Sequence, residues 1–222
     1  MSKASAVRSS ADPMFWPWSS PAPLVTLHGQ RVLLRLPQMR DYEAWHKLRR
    51  DSQAFLRPYE PRWTELDLAR RVYAMRVRRA RQEVEEGTDY TFFIFVNEGR
   101  REQLVGGITL SNIRRRAAQF VSLGYWMGQN HAGKGLMTEA VGVVVPFIFE
   151  ALDLHRIHAA FLPHNIASRR VLEKNGFVEE GFAKNYLQIN GRWEDHVLMG
   201  LTRERWELAR LGQRHIDQSR FA

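Results

Sequence analysis

The chain predicts an α/β or α+β fold in which one sheet carries helices on both faces. Three observations lead there. Helical and strand-like apolar periods follow one another along the sequence, so helices fall between strands. Residues 90–96 are a nearly unbroken apolar and aromatic run, the pattern of a strand covered on both sides. Asn190-Gly191 stands between two strand-like runs and is the strongest two-residue hairpin signal.

Residues 24–36 read as strand, with a hairpin or bulge at His28-Gly29. Asp41 is placed to cap a helix whose apolar face includes Ala44, Trp45 and Leu48. Pro58 and Pro61 then interrupt the chain. Thr64 with Asp67 has the form of a capping box, and a long helix follows to about Glu86, stopped by Gly87. Ala69, Val72, Tyr73, Ala80 and Val84 recur on it at helical spacing, and Arg70, Arg71, Arg78, Arg79 and Arg81 mark its other face. Residues 103–113 and 118–127 are two further strands joined by a turn containing Arg114, Arg115 and Arg116. A helix is predicted over 133–152, where Pro146 should kink it or mark its last turns. Residues 156–162 form a short strand, and 167–175 a helix that Gly176 ends with a left-handed cap. The hairpin of 178–189 and 192–201 closes the sheet, followed by a basic amphipathic helix over 203–214. The domain is therefore expected over 24–202, with a disordered or loosely packed extension at 1–23 and a helix and tail at 203–222.

Composition limits the chemistry. The chain has 222 residues, 44% of them hydrophobic, which suits one domain with a substantial core. It has no cysteine, which excludes disulfides, thiolate zinc sites and cysteine nucleophiles and fits a reducing, cytoplasmic setting. Lys and Arg number 33 against 24 Asp and Glu, a net charge of +9 that favours a polyanionic partner or simply a solvated surface. No segment has the roughly 20 apolar residues of a membrane span, and residues 1–23 lack the continuous apolar stretch of a secretory signal. Phe15, Trp16 and Trp18 are unusual in such a tail. The histidines outside the motifs, among them His28, His46, His155, His158 and His215, show no ligand spacing, so no metal is predicted.

The chemistry is concentrated between Gly124 and Ala140, where a strand leads through a loop with glycines two apart into a helix. Small residues let backbone approach a ligand, and the first N–H groups of a helix lack internal partners. With the helix dipole they form a site for pyrophosphate. The spacing is neither that of a Walker loop nor the full dinucleotide pattern, which disfavours nucleotide hydrolysis and nicotinamide binding.

Asn130-His131-Ala132-Gly133-Lys134-Gly135 resembles motif A of the GCN5-related N-acetyltransferases, Gln/Arg-x-x-Gly-x-Gly/Ala, with Asn130 in the place of the Gln or Arg. About thirty residues on, Asn165-Ile166-Ala167-Ser168 and Asn175-Gly176-Phe177 are similar to motif B. Asp153-Leu154-His155-Arg156-Ile157, Ala183-Lys184-Asn185-Tyr186 and the segment from Gly191 to Val197 resemble the RimJ and RimL branch, which acetylates ribosomal protein N-termini. The resemblance implies a central mixed, mostly antiparallel twisted sheet and acetyl-CoA as cosubstrate. By position it implies that Tyr125, Trp126 and Met127 pair with the pantetheine arm. His131, Ala132, Gly133, Lys134, Gly135 and Leu136 would offer amides to the pyrophosphate, and Asn165 would bind the cofactor arm. The Met127 N–H would receive the oxyanion.

Transfer requires a route for the amine proton, an oxyanion donor and an acid for the leaving thiolate. Where some relatives carry a glutamate and a tyrosine, this sequence has Ala160 and Leu172, neither able to move a proton. Ser168 is the candidate acid, because the RimL branch has serine there; the same position also fits a helix cap. For the base, Glu139, Asp195 and His196 are the nearest titratable groups. An α-amine, with a pKa of about 8, is deprotonated at a cost of about 1 kcal/mol at pH 7, against about 4–5 for lysine. A site without a dedicated base therefore suits an N-terminal amine. The expected acceptor is an N-terminal Ala or Ser, on a ribosomal protein, with the basic surface steering toward ribosomal RNA. A small cationic amine held by Glu60, Glu65, Glu139, Glu194 and Asp195 is the alternative within enzymes. A non-catalytic RNA-binding factor is the alternative outside them.

Overall fold

A computed structural model describes residues 25–98 and 101–219. The 1–23 extension, with Phe15, Trp16 and Trp18, lies outside the described residues. Eight strands form one sheet: β1 (Thr26–His28), β2 (Val32–Arg35), β3 (Tyr90–Glu98), β4 (Arg101–Arg114), β5 (Phe120–Met127), β6 (Arg156–Phe161), β7 (Val178–Ile189) and β8 (Arg192–Thr202). Their order across the sheet is β1-β2-β3-β4-β5-β6-β8-β7. Only the β5–β6 pair is parallel, so the sheet is mixed and mostly antiparallel. The helices are α1 (Tyr42–Asp51), α2 (Gln53–Leu56), α3 (Arg70–Glu86), α4 (Leu136–Pro146), α5 (Ile166–Lys174) and α6 (Arg203–Ser219).

Two apolar clusters hold these layers. On one face α4 packs through Met137, Ala140, Val141 and Val144 on Ile108, Leu110, Val121 and Ile157 of the sheet, and Leu172 of α5 joins them. On the other, Trp45 of α1 and Tyr73 and Val77 of α3 pack on Phe93, Phe95 and Leu104. Tyr90 to Phe95 of β3 feed both clusters, which is why that strand is apolar on both sides. Each fully buried large side chain here contributes roughly 1.5–3 kcal/mol.

Local signals explain most element ends. Asn190 and Gly191 have φ of 46° and 84°, the paired left-handed conformation of a tight hairpin. Gly87 caps α3 at φ 67°, and the Thr64–Asp67 capping box forms. That box opens a 3₁₀ turn, Glu65–Leu68, and α3 begins only after an extended Ala69. Three expectations are corrected. Asp41 precedes α1 but does not cap it, because its carboxylate binds Arg35 at 2.7 Å and the Gln38 N–H at 2.8 Å. Ala44 faces solvent, leaving Trp45 as the buried residue of α1. The helix expected from Gly133 begins at Leu136, and Pro146 ends its α-helical part, after which Phe147–Ala151 widen into a π turn.

Candidate active site

The parallel strands β5 and β6 pair only through Phe120–Arg156, Val121–Ile157 and Ser122–His158. Both run on, β5 to Met127 and β6 to Phe161, so they part and leave a wedge-shaped gap. A bulge sets the β5 side of it: Ile94 pairs with Gly106 but Phe95 with Leu104, leaving Val105 as the extra residue of β4. The Gly128 N–H donates to the Val105 carbonyl at 2.8 Å. Antiparallel pairing alternates, so the backbone groups of Trp126 and Gly128 face β4, and those of Tyr125 and Met127 face the gap.

At the mouth of the gap the chain turns through Gln129–His131 into α4. Gly133 and Gly135 have φ of 75° and 77°, which a Cβ would penalise. The amides of His131 and Ala132 already bond to the carbonyls of Gly128 and Gln129. Those of Gly133, Lys134 and Gly135 meet no backbone acceptor among the described residues, and Leu136 opens the helix. The site for an anion is thereby narrowed to the end of the predicted segment.

Arg31, in the β1–β2 turn, fixes this loop from outside the motif. It bonds to the Lys134 carbonyl at 3.2 Å and to Glu139 at 2.7 Å, while its own N–H reaches the same carboxylate at 2.6 Å. Burial raises the Glu139 pKa, but the hydrogen bonds from Arg31 and Val32 and the Arg31 charge outweigh it and hold the carboxyl below its ordinary value. Glu139 thus anchors the β1–β2 turn to α4. Periodicity along the chain gives no hint of Arg31, because it lies 108 residues from its partner.

Across the gap, Asn165 caps α5 by accepting the Ser168 N–H at 3.0 Å. Ser168 therefore does not cap the helix, which settles one alternative for it. Its hydroxyl lies 2.7 Å from the Tyr125 hydroxyl. Tyr125 also donates to the Ser168 carbonyl at 3.3 Å. Burial pushes the Tyr125 phenol up to about 12, against a smaller opposing effect of the Ser168 hydrogen bond. The tyrosine hydroxyl was not foreseen, although the alternation of Val121, Leu123 and Tyr125 on one face was a usable signal. Asn175 locks α5 to α4 by donating to Val171 and Thr138 carbonyls at 2.8 and 3.1 Å.

The opposite side of the gap is built from scattered residues. The Trp126 indole lies over Gly107, where a Cβ would come within 2.6 Å of its Nε1. Arg49 lies between the Trp126 and Trp63 rings, 4.8 and 4.9 Å from their centroids. Its guanidinium makes a two-point bond to Glu60 at 2.6 and 2.7 Å, and Trp63 Nε1 donates to the same carboxylate at 3.1 Å. The hairpin tip docks here, the Asn190 N–H reaching the Glu60 carbonyl at 2.8 Å. Tyr59 and His164 meet ring to ring at 5.9 Å. Of the remaining expected groups, Asp195 accepts the Asn185 N–H, Ala160 is half-buried on β6 and Leu172 is buried core. Among the described residues no three His, Asp or Glu come together as metal ligands, and no helix is long and apolar enough to cross a membrane.

Residues 31–178 match the family model for the acetyltransferase (GNAT) domain. The chain belongs to the GNAT acetyltransferase family. It is 33% identical over 191 residues to the ribosomal-protein-uS5-alanine N-acetyltransferase of Escherichia coli K12, covering 85% of this chain and 96% of that one. YjcK of Bacillus subtilis, named a probable N-acetyltransferase, is 43% identical over 126 residues, 57% of this chain and 68% of that one. Among solved structures, Mycobacterium smegmatis RimJ in complex with CoA-disulfide superposes with a TM-score of 0.76 at 33% identity, covering 84% and 91% of the two chains. The GNAT chain is accordingly an acetyl-CoA-dependent N-acetyltransferase of RimJ/RimL type.

Proposed function

We propose that this acetyltransferase modifies the N-terminal α-amine of a protein, with Ala or Ser first, and that the natural acceptor is a ribosomal protein. The observation that carries the reading is the state of Glu60, Glu139 and Asp195, three of the five acidic residues a small polycation would need. Glu60 is neutralised by Arg49, Glu139 by Arg31, and Asp195 holds a backbone N–H. The acceptor side presents Trp126, Trp63 and an Arg49 guanidinium already paired with Glu60 instead, so that pair offers a cation no net negative charge. The relative in Escherichia coli, named for uS5 alanine, supports the same acceptor class.

In this reading the backbone of Tyr125 and Met127 pairs with the pantetheine arm beside Trp126, and Met127 N–H receives the oxyanion. Gly133, Lys134, Gly135 and Leu136 meet the pyrophosphate, with His131 and Ala132 shaping the turn. Asn165 has Oδ1 committed to its cap, so Nδ2 is the atom offered to the cofactor arm. The amine nitrogen bonds to the thioester carbon, the C–S bond breaks, and Ser168 Oγ–H gives its proton to sulfur while the single Tyr125 hydrogen turns from the Ser168 carbonyl to Ser168 Oγ. One proton leaves nitrogen and one arrives at sulfur, so the reaction balances. Ser168→Ala should lower kcat about 100-fold without changing acetyl-CoA affinity; an unchanged kcat removes the acid role. The exposed arginines of α3, among them Arg71, Arg78 and Arg81, would face ribosomal RNA in the cytoplasm.

The test is intact-mass detection of acetyl transfer to free N-terminal Ala, Ser and Met peptides, an N-blocked lysine peptide and spermidine. Modification confined to free Ala or Ser termini is expected. Equal or faster transfer to spermidine overturns the acceptor assignment.

A further inference from the structure

Arg31 holds Glu139 and the Asn185 N–H engages Asp195, and the reaction proposed above still has to deliver the amine proton. His196 is 2% exposed on β8, and its Nδ1 lies 2.9 Å from the Glu194 carbonyl oxygen. A carbonyl only accepts, so Nδ1 carries the hydrogen and the neutral ring keeps its lone pair on Nε2. That nitrogen has no hydrogen-bond partner in the structure. Among the described residues the only buried, unpartnered side-chain polar atoms are on Gln103 and Gln119, so Nε2 reaches solvent through the ring's small remaining exposure.

The register places it. Ala160 pairs with Leu198, and Phe161 with Val197, so His196 comes next in the β6–β8 ladder and shares a face with Ala160 and Leu198. Through the Ser122–His158 pair that is also the face of Trp126, the acceptor side of the gap. On this face β6 offers Arg156, His158 and Ala160, and the His158 Nε2 already accepts from Arg156 Nε at 2.7 Å. The β7 bulge opposite carries Lys184 and Tyr186, and Tyr186 stands edge-on to the imidazole at 5.7 Å. Glu194, two residues along β8, is the one carboxylate of β8 that shares the face.

We propose that His196 is the general base, Nε2 accepting the proton of the attacking amine directly or through one water. The deduction rests on the acetyl-transfer reading of the gap but not on the identity of the amine. As nitrogen bonds to the thioester carbon, its surplus proton passes to Nε2 and then to solvent, and solvent restores the proton that Ser168 gives to sulfur. The Glu194 carbonyl holds the donor nitrogen and so leaves Nε2 as the accepting nitrogen.

The test is His196→Asn, whose side-chain amide can still donate to the Glu194 carbonyl. Measured with whichever amine the wild type acetylates best, kcat/KM should fall about 100-fold while acetyl-CoA Kd and Tm stay unchanged. Added imidazole should recover part of the rate, which a packing role does not predict, and the acid limb of the pH profile should change shape. Glu194→Gln should stay within about threefold of wild type. His196→Gln carries the same test if the asparagine variant does not fold, and failure of both to fold assigns the ring to packing and overturns the proposal. A folded variant of near wild-type rate overturns it, as does a loss confined to Glu194→Gln. Wild-type preference for spermidine removes the N-terminal acceptor alone and leaves the base to be judged on that amine.

Discussion

The two sides of the gap are made differently. The cofactor side, from β5 through the glycine loop into α4, comes from one continuous stretch and presents mostly backbone. The proposed acceptor side gathers Arg49, Glu60, Trp63, Trp126, Asn190 and His196 from across the chain and presents side chains. A backbone site is specified by conformation, so local glycines write it. A side-chain site is specified by which remote elements dock together, and so can change acceptor while keeping the same cosubstrate.

Disturbing the acceptor side should cost most. Arg49→Met leaves the Glu60 carboxylate, whose side chain is 17% exposed, without its cation between two indoles. The expected loss is about 3 kcal/mol, roughly 6–10 °C in Tm by calorimetry. Acceptor KM should rise and acetyl-CoA Kd stay within about threefold. Equal damage to both constants would mean that the two sides are one unit.

On the cofactor side, Gly135→Val forces a β-branched residue to φ 77°. The strain is about 1–2 kcal/mol or more, and titration calorimetry should show acetyl-CoA Kd raised at least about tenfold, with acceptor specificity unchanged. Wild-type affinity in this variant would show that the loop does not hold the pyrophosphate.

The smallest effect should be that of the Arg31–Glu139 anchor. Arg31 is 55% exposed, so solvent screening limits the pair to about 1 kcal/mol or less. The Glu139 carboxyl is held below its ordinary value, so its stabilisation is present above the unfolded pKa and lost as pH falls through the folded one. Glu139→Gln should therefore lower Tm by about 2 °C at pH 7 and converge with the wild type in acid. A constant difference across pH would assign the effect to packing instead.

The same division governs what could be read in advance. The Asn190-Gly191 turn, the Gly87 cap, the apolar β3 strand and the glycine loop are local, because each is fixed by φ preference or periodicity within a few residues. Capping roles were harder to read, because a neighbouring group competed for the same hydrogen bonds. Asp41 looked like a cap but turns to Arg35, and Ser168 fitted a cap that Asn165 makes, which frees its hydroxyl for Tyr125.

By itself the sequence determined most strands and helices, the position of the glycine loop and the family, since those depend on short-range conformational preference and motif spacing. Only the tertiary structure decided that β5 and β6 part after three pairs, that Arg31 braces the loop, that Arg49 cancels Glu60, and which nitrogen of His196 is bare. The β5–β6 and Arg31 pairings join groups far apart in the chain, and all four arrangements exist only once packing has set the partners within hydrogen-bond reach.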